Sequence, residues 1–198
     1  MDKSQEKVYK TAIGAIPKIV NNFIPKTENQ KLFYDKISDF NKQLILCHGI
    51  AGTGKTYVSI YKALQDVLRR GLPYKKLIIV NPTVDVGNED KLGFLPGELS
   101  AKIHQYNEST FTILDKILGK EKTKKMIGDG KIEIGVLNFL RGVNLENCYL
   151  ILDEAQNVSP MQIKTLMTRI SDNCKMIIQG VMSQCDKYKN NGEPNYEK

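Results

Sequence analysis

Gly49 and Gly54, followed at once by Lys55 and Thr56, have the spacing of a phosphate-binding loop: glycine, four residues, glycine, lysine, threonine. Phosphate oxygens need several donors in a small space. Glycines let the backbone curl so that the N–H groups across Gly49, Ile50, Ala51, Gly52, Thr53 and Gly54 turn inward, and a following helix adds its positive end. Lys55 is then placed to reach the β and γ phosphates of a nucleoside triphosphate, and the Thr56 hydroxyl to bind Mg²⁺. Further along, the apolar run Leu150-Ile151-Leu152 ends in Asp153 and Glu154, two acids at the carboxyl end of a strand, where ligands of open α/β sheets bind. Asp153 suits holding Mg²⁺ through water, and Glu154 suits orienting and deprotonating an attacking water.

These residues need elements to position them. Thr27 followed three residues later by Gln30 has the form of a capping box, and Leu32, Phe33, Ile37 and Phe40 give one apolar face, so a helix is predicted over 28–40. Leu44 to His48 reads as a short apolar strand that runs into the glycine loop, and Val58, Leu64, Val67 and Leu68 mark the helix after it. Further strands are predicted at 77–80, 131–136, 149–153 and 175–179. Strands without polar alternation are expected to be covered on both faces. Ser159-Pro160-Met161-Gln162 opens another helix with a capping box and proline at its first position, and Ile163, Leu166, Met167 and Ile170 carry its stripe. Strands separated by helices imply an α/β fold, a mainly parallel sheet flanked by helices. Residues 1–26, broken by Gly14, Pro17 and Pro25, read as an N-terminal arm; 27–186 form the domain, and 187–198 a polar tail. The stretch 82–98 is a long loop of the kind that is functional or disordered.

The chain has 198 residues, 41% of them hydrophobic, with 29 Lys+Arg against 22 Asp+Glu for a net charge of +7. That length buries a core without metal or disulfide support. Its apolar runs fall far short of the ~20 residues that cross a bilayer, and Met1 to Lys7 is polar and mixed in charge, so a cytoplasmic location without membrane partners is expected. Cys47, Cys148, Cys174 and Cys185 show no metal-ligand spacing and read as reduced, small hydrophobes. The basic balance admits a polyanionic partner. The cluster Lys120, Lys122, Lys124 and Lys125 fits either a phosphate backbone or a solvated helix face.

The loop Gly49 to Thr56, the stretch Gly93-Phe94-Leu95-Pro96-Gly97-Glu98-Leu99, the stretch Lys131-Ile132-Glu133-Ile134 leading to Leu140-Arg141-Gly142, and Asp153-Glu154-Ala155-Gln156-Asn157 resemble, in this order, the PhoH-like family of P-loop ATPases. The resemblance runs from Thr27 to Asp186. It implies a RecA-like core related to superfamily 1 helicases that binds ATP with Mg²⁺ and hydrolyses it. It also implies assembly of copies into rings and a link to RNA or other single-stranded nucleic acid. By the same resemblance Gln30 reads the adenine edge, an alternative to its part in the capping box. Gln184 is the polar sensor of the γ phosphate, and Arg141 and Arg169 are candidates to stabilise developing phosphate charge, across a subunit boundary if the copies form a ring.

Three departures from the family pattern stand out. Gly180-Val181-Met182-Ser183 lacks the polar residue expected after the glycine, which implies slow hydrolysis. Asn81-Pro82-Thr83 stands where Arg-Pro-Ala is usual, and the family's final helix and strand have no counterpart after Asp186. An Mg²⁺-dependent ATPase is the leading reading. A nucleotide-dependent binding module with little turnover and a phosphotransferase to a small acceptor are the alternatives.

Overall fold

The structure is a computed structural model, and it describes residues 17–82, 107–137, 145–171 and 173–181. The sequence motifs at 93–99 and 140–142, and with them Arg141 and Gln184, lie outside the described residues.

Five strands, β1 (Leu44–His48), β2 (Lys76–Asn81), β3 (Ile132–Val136), β4 (Cys148–Leu152) and β5 (Lys175–Gly180), form one sheet in the order β1-β5-β4-β2-β3. Every pairing is parallel. All strands therefore end on the same side. Within that sheet β5 is inserted between β1 and β4, with Cys47 opposite Gln179 and Leu152 opposite Ile178.

Alternate residues feed two cores, as the period of two requires. Leu77, Ile79, Tyr149, Ile151 and Ile177 point to one, beneath the helices α1 (Glu28–Ser38), α2 (Lys55–Leu68), α3 (Glu108–Leu118) and α4 (Lys120–Gly128). Ile78, Val80, Leu150, Leu152, Met176 and Ile178 point to the other, beneath α5 (Pro160–Met167). The expectation that every strand is covered on both faces fails at β1 and β3, the two edges of the sheet among the described residues. On β1 Ile45 is buried, whereas Leu46, facing the other way, is 71% exposed; on β3 Ile132 is buried and Glu133 exposed.

The helices begin where side chains satisfy their first amides. Ser159 caps α5 with both halves of the box, its hydroxyl accepting from the Gln162 amide and the Gln162 carbonyl accepting from Ser159 N–H, and Pro160 takes the first helical position. Thr27 caps α1 by accepting from Gln30 N–H at 3.2 Å, but the reciprocal half is missing because the Gln30 side chain is directed elsewhere. The described part of the expected arm packs on the domain. Val20 is fully buried, and Phe23 stacks on Tyr34 with ring centroids 4.7 Å apart.

Helix α2 is buried nearly all round from Val58 to Asp66, so its polar residues need internal partners. Lys62 pairs with Asp66 at 2.5 Å, and the Tyr149 hydroxyl donates to the other Asp66 oxygen. Gln65 donates to the Val20 carbonyl and accepts from the Tyr34 hydroxyl. Lys175, at the start of β5, donates to the carbonyls of Ile37 at 2.6 Å and Asp39 at 2.9 Å and so closes the carboxyl end of α1. Burial pulls its ammonium down to about 8, with Asp66 opposing and Lys62 assisting. This buried polar cluster ties the amino end of the sheet to α1 and α2.

Candidate nucleotide site

The carboxyl ends of β1, β4 and β5 converge on a cleft of about 240 Å³ lined by Ala51, Gly52, Gly54, Lys55, Thr56, Ile113, Asp153, Glu154, Gly180 and Val181. Its floor is the loop between β1 and α2. Gly52 and Gly54 hold φ of 77° and 85°, the left-handed region where a Cβ is strained, and the turn at Gly54 starts α2 directly at Lys55. The first amides of that helix have no partner within the helix and face the cleft with its positive end.

The loop is braced from inside and outside. The Thr53 hydroxyl donates to the Ile50 carbonyl at 2.8 Å, and the Lys55 ammonium donates to the carbonyls of Gly49 at 2.8 Å and Ile50 at 3.0 Å. An ammonium has three donors, so one is left without a partner among the described residues. Gln30 reaches across from α1: its Nε2 donates to the Thr53 carbonyl at 2.9 Å and its Oε1 accepts from Lys26 N–H at 2.8 Å. A Cβ on Gly54 would stand 3.0 Å from Gln30 Nε2. The amide expected to complete a capping box instead rests against the phosphate loop.

Above the floor the two motifs meet. The Thr56 hydroxyl donates to Asp153 Oδ2 at 2.8 Å, and Glu154 N–H donates to Asp153 Oδ1 at 3.0 Å. Asp153 is buried at the end of β4, whereas Glu154 is exposed. Glu154 adopts φ 49° and ψ 42°, left-handed for a residue with a side chain, which turns its carboxylate out of the strand direction. Gln156 holds that carboxylate through its Nε2 while its Oε1 accepts from Val181 N–H at 3.0 Å. Gly180 admits this contact, because a Cβ there would lie 2.7 Å from Gln156 Oε1.

Sequence reasoning missed two residues here. Ile113, from α3, forms an apolar wall. Gln179 is fully buried and donates from Nε2 to both Thr56 Oγ1 at 3.0 Å and Asp153 Oδ1 at 2.9 Å. The signal that marked Asp153, a polar residue at the carboxyl end of an apolar strand, marks Gln179 as well. Its Oε1 is buried with no partner among the described residues, a loss worth about 1–3 kcal/mol when nothing fills it.

Arg169 is not brought to the cleft. Its backbone pairs with Leu145, ahead of the amino end of β4 and thus at the opposite end of the sheet from Asp153, and its buried Nε has no acceptor among the described residues. Asn81, standing where an arginine was expected, is structural: its Nδ2 donates to Asn107 at 2.6 Å and ties β2 to the start of α3. The buried thiols of Cys148 and Cys174 lie 3.4 Å apart at the amino end of the sheet, away from the cleft. No described helix is long and apolar enough to cross a membrane.

A family model described as PhoH-like protein matches residues 22–196. The chain is 37% identical over 182 residues to a PhoH-like protein of Bacillus subtilis (strain 168), covering 92% of this chain and 53% of that one. To protein PhoH of Escherichia coli (strain K12) it is 35% identical over 148 residues, 74% of this chain and 41% of that one. It thus spans about half the length of the curated relatives it matches. Among solved structures it is similar to the UvsW helicase from bacteriophage T4, with 15% identity and a TM-score of 0.45, covering 91% of this chain and 60% of that one. By its family match and its relatives, the chain belongs to the PhoH-like protein family.

Proposed function

We propose that this chain binds ATP with Mg²⁺ in the cleft and hydrolyses it, in the service of RNA or other single-stranded nucleic acid. The observation that carries the reading is the 2.8 Å hydrogen bond from Thr56 to Asp153, which joins the phosphate loop and the acid pair in one pocket. Two motifs that were independent in the sequence become one site.

The donor set fits Mg²⁺. Thr56 and Asp153 offer hard oxygens, a single carboxylate with room for water and phosphate, which is how Mg²⁺ is usually held in nucleotide sites. Gln179 Oε1, buried and unpartnered among the described residues, is an acceptor suited to one of those waters. Thr56 and Asp153 would hold the ion, and when bound it would neutralise charge on the β and γ oxygens.

The chain's own residues supply the rest. The loop amides and Lys55 hold the triphosphate, and Gln30, which rests against the loop at the Thr53 carbonyl, is the group that would read the base. Glu154, held by Gln156, orients a water and accepts its proton as the water oxygen bonds to the γ phosphorus and the β–γ bridging oxygen departs with ADP. Gln184 would sense the γ phosphate, and Arg141 and Arg169 would stabilise developing phosphate charge, Arg169 on the nucleotide of a neighbouring copy rather than in its own cleft. On α4, Lys120, Lys124 and Lys125 are exposed and Lys122 half-buried, a basic surface for a phosphate backbone.

A second reading draws on Val181, which lines the cleft with an apolar side chain where the family pattern has a polar one. It favours a nucleotide-dependent binding module with little turnover. Phosphate release measured with ATP and Mg²⁺, with and without single-stranded RNA or DNA, separates the two. Turnover that Lys55→Ala abolishes supports hydrolysis; tight ATP binding without release supports the module. Neither binding nor release would sink both.

A further inference from the structure

Gln179 occupies a place that neither the phosphate loop nor the acid pair explains. Because β5 lies between β1 and β4, its last residues stand between the loop that follows β1 and the acids that follow β4. The Gln179 amide uses one N–H on Thr56 Oγ1 and the other on Asp153 Oδ1. Thr56 in turn gives its only proton to Asp153 Oδ2. The three side chains form a closed ring of hydrogen bonds. Of the two lone pairs on the Thr56 oxygen, one accepts from Gln179 and the other is left over.

We propose that Gln179 is a positioning residue for the divalent cation. Its Nε2 fixes the remaining Thr56 lone pair and the Asp153 carboxylate toward a common point, and its buried Oε1 accepts from a water in the cation's shell. The inference deepens the nucleotide-site reading and rests on it. Partners that orient metal ligands commonly govern affinity as strongly as the ligands do. A residue needed only to fill space at this buried position would be apolar, and would leave no acceptor without a partner.

The test is calorimetric titration of the purified chain with the non-hydrolysable analogue AMP-PNP, once with Mg²⁺ and once with EDTA. The readout is the factor by which Mg²⁺ tightens binding, which is independent of turnover. Gln179→Leu and the shorter amide Gln179→Asn are both expected to lower that factor, by about 10- to 100-fold for the leucine, while affinity in EDTA stays at the wild-type value. The EDTA arm also reports that each variant is folded. A factor unchanged in both variants overturns the inference and leaves the nucleotide site standing. Equal loss with Mg²⁺ and with EDTA means that Gln179 only supports the fold, and overturns it too. A wild type that binds no AMP-PNP in either condition overturns the nucleotide reading together with the inference.

Discussion

The Thr56 hydroxyl lies 2.8 Å from Asp153 Oδ2, a bond between residues 97 positions apart that carries the geometry of the whole cleft. Thr56→Val keeps the side-chain volume, removes the hydroxyl and leaves both Asp153 Oδ2 and one Gln179 donor unpartnered. The Mg²⁺ concentration giving half-maximal ATPase activity is expected to rise by about 10- to 100-fold. Thr56→Ser, which retains the hydroxyl, should stay near wild type. A valine variant with an unchanged Mg²⁺ requirement would detach Thr56 from the metal.

Glu154 is held by Gln156, and Gln156 by Val181 N–H. Gln156→Ala should therefore lower kcat and leave KM for ATP close to wild type, by less than the roughly 10²- to 10⁴-fold that a general base contributes. Gly180→Ala should act in the same direction, because its Cβ would meet Gln156 Oε1 at 2.7 Å and the backbone nitrogens of Ala155 and Gln156 at 3.3 Å. Steady-state kinetics check both. A rise in KM with kcat intact would assign Gln156 to binding instead.

Burial holds the Lys175 ammonium at about 8, below its ordinary 10.5. Between those values the unfolded chain keeps a proton that the folded chain has released, so the lysine's contribution to stability rises with pH. Below about 8 it is charged in both states and adds no slope. Two thiols pull the other way, Cys47 raised by burial and Cys174 raised first by its hydrogen bond with Cys148 and then by burial, and both remain in a variant lacking the lysine. The stability of wild type relative to Lys175→Met, from urea unfolding at several pH values, is expected to climb from about pH 8 to 10.5. A flat difference would show that the buried lysine keeps its ordinary proton affinity.

If α4 tracks a phosphate backbone, its lysines make the affinity salt-dependent. Replacing Lys120, Lys124 and Lys125 with alanine should weaken binding to single-stranded RNA and flatten the slope of log affinity against log salt by about 2, at roughly 0.7 per contact. Fluorescence anisotropy across a salt series measures it. An unchanged slope assigns these lysines to a solvated face.

Most of the scaffold could be read from residue types. Apolar runs such as Leu77 to Val80 marked central strands because burial on both faces leaves no polar alternation, and Ser159 with Gln162 marked the start of α5 through a purely local bond pattern. What stayed hidden depends on distant neighbours. The exposure of Leu46 follows from β1 lying at an edge, which strand order decides. Helix α3 was missed because β-branched Thr110, Thr112 and Ile113 blur a helical pattern that packing nonetheless stabilises. Gln179 passed as one more strand residue because its partners, Thr56 and Asp153, are distant in sequence.

The central claim is that the loop at 49–56 and the acids at 153 and 154 together grip a triphosphate. Thermal melting with and without Mg²⁺ and AMP-PNP tests it most directly. At 100 times the dissociation constant the wild type gains about 2.7 kcal/mol, which for a domain of this size raises the melting temperature by roughly 5–10 °C, and Lys55→Ala should show little of that rise. A wild-type melting temperature unmoved by saturating Mg²⁺ and AMP-PNP would contradict the account.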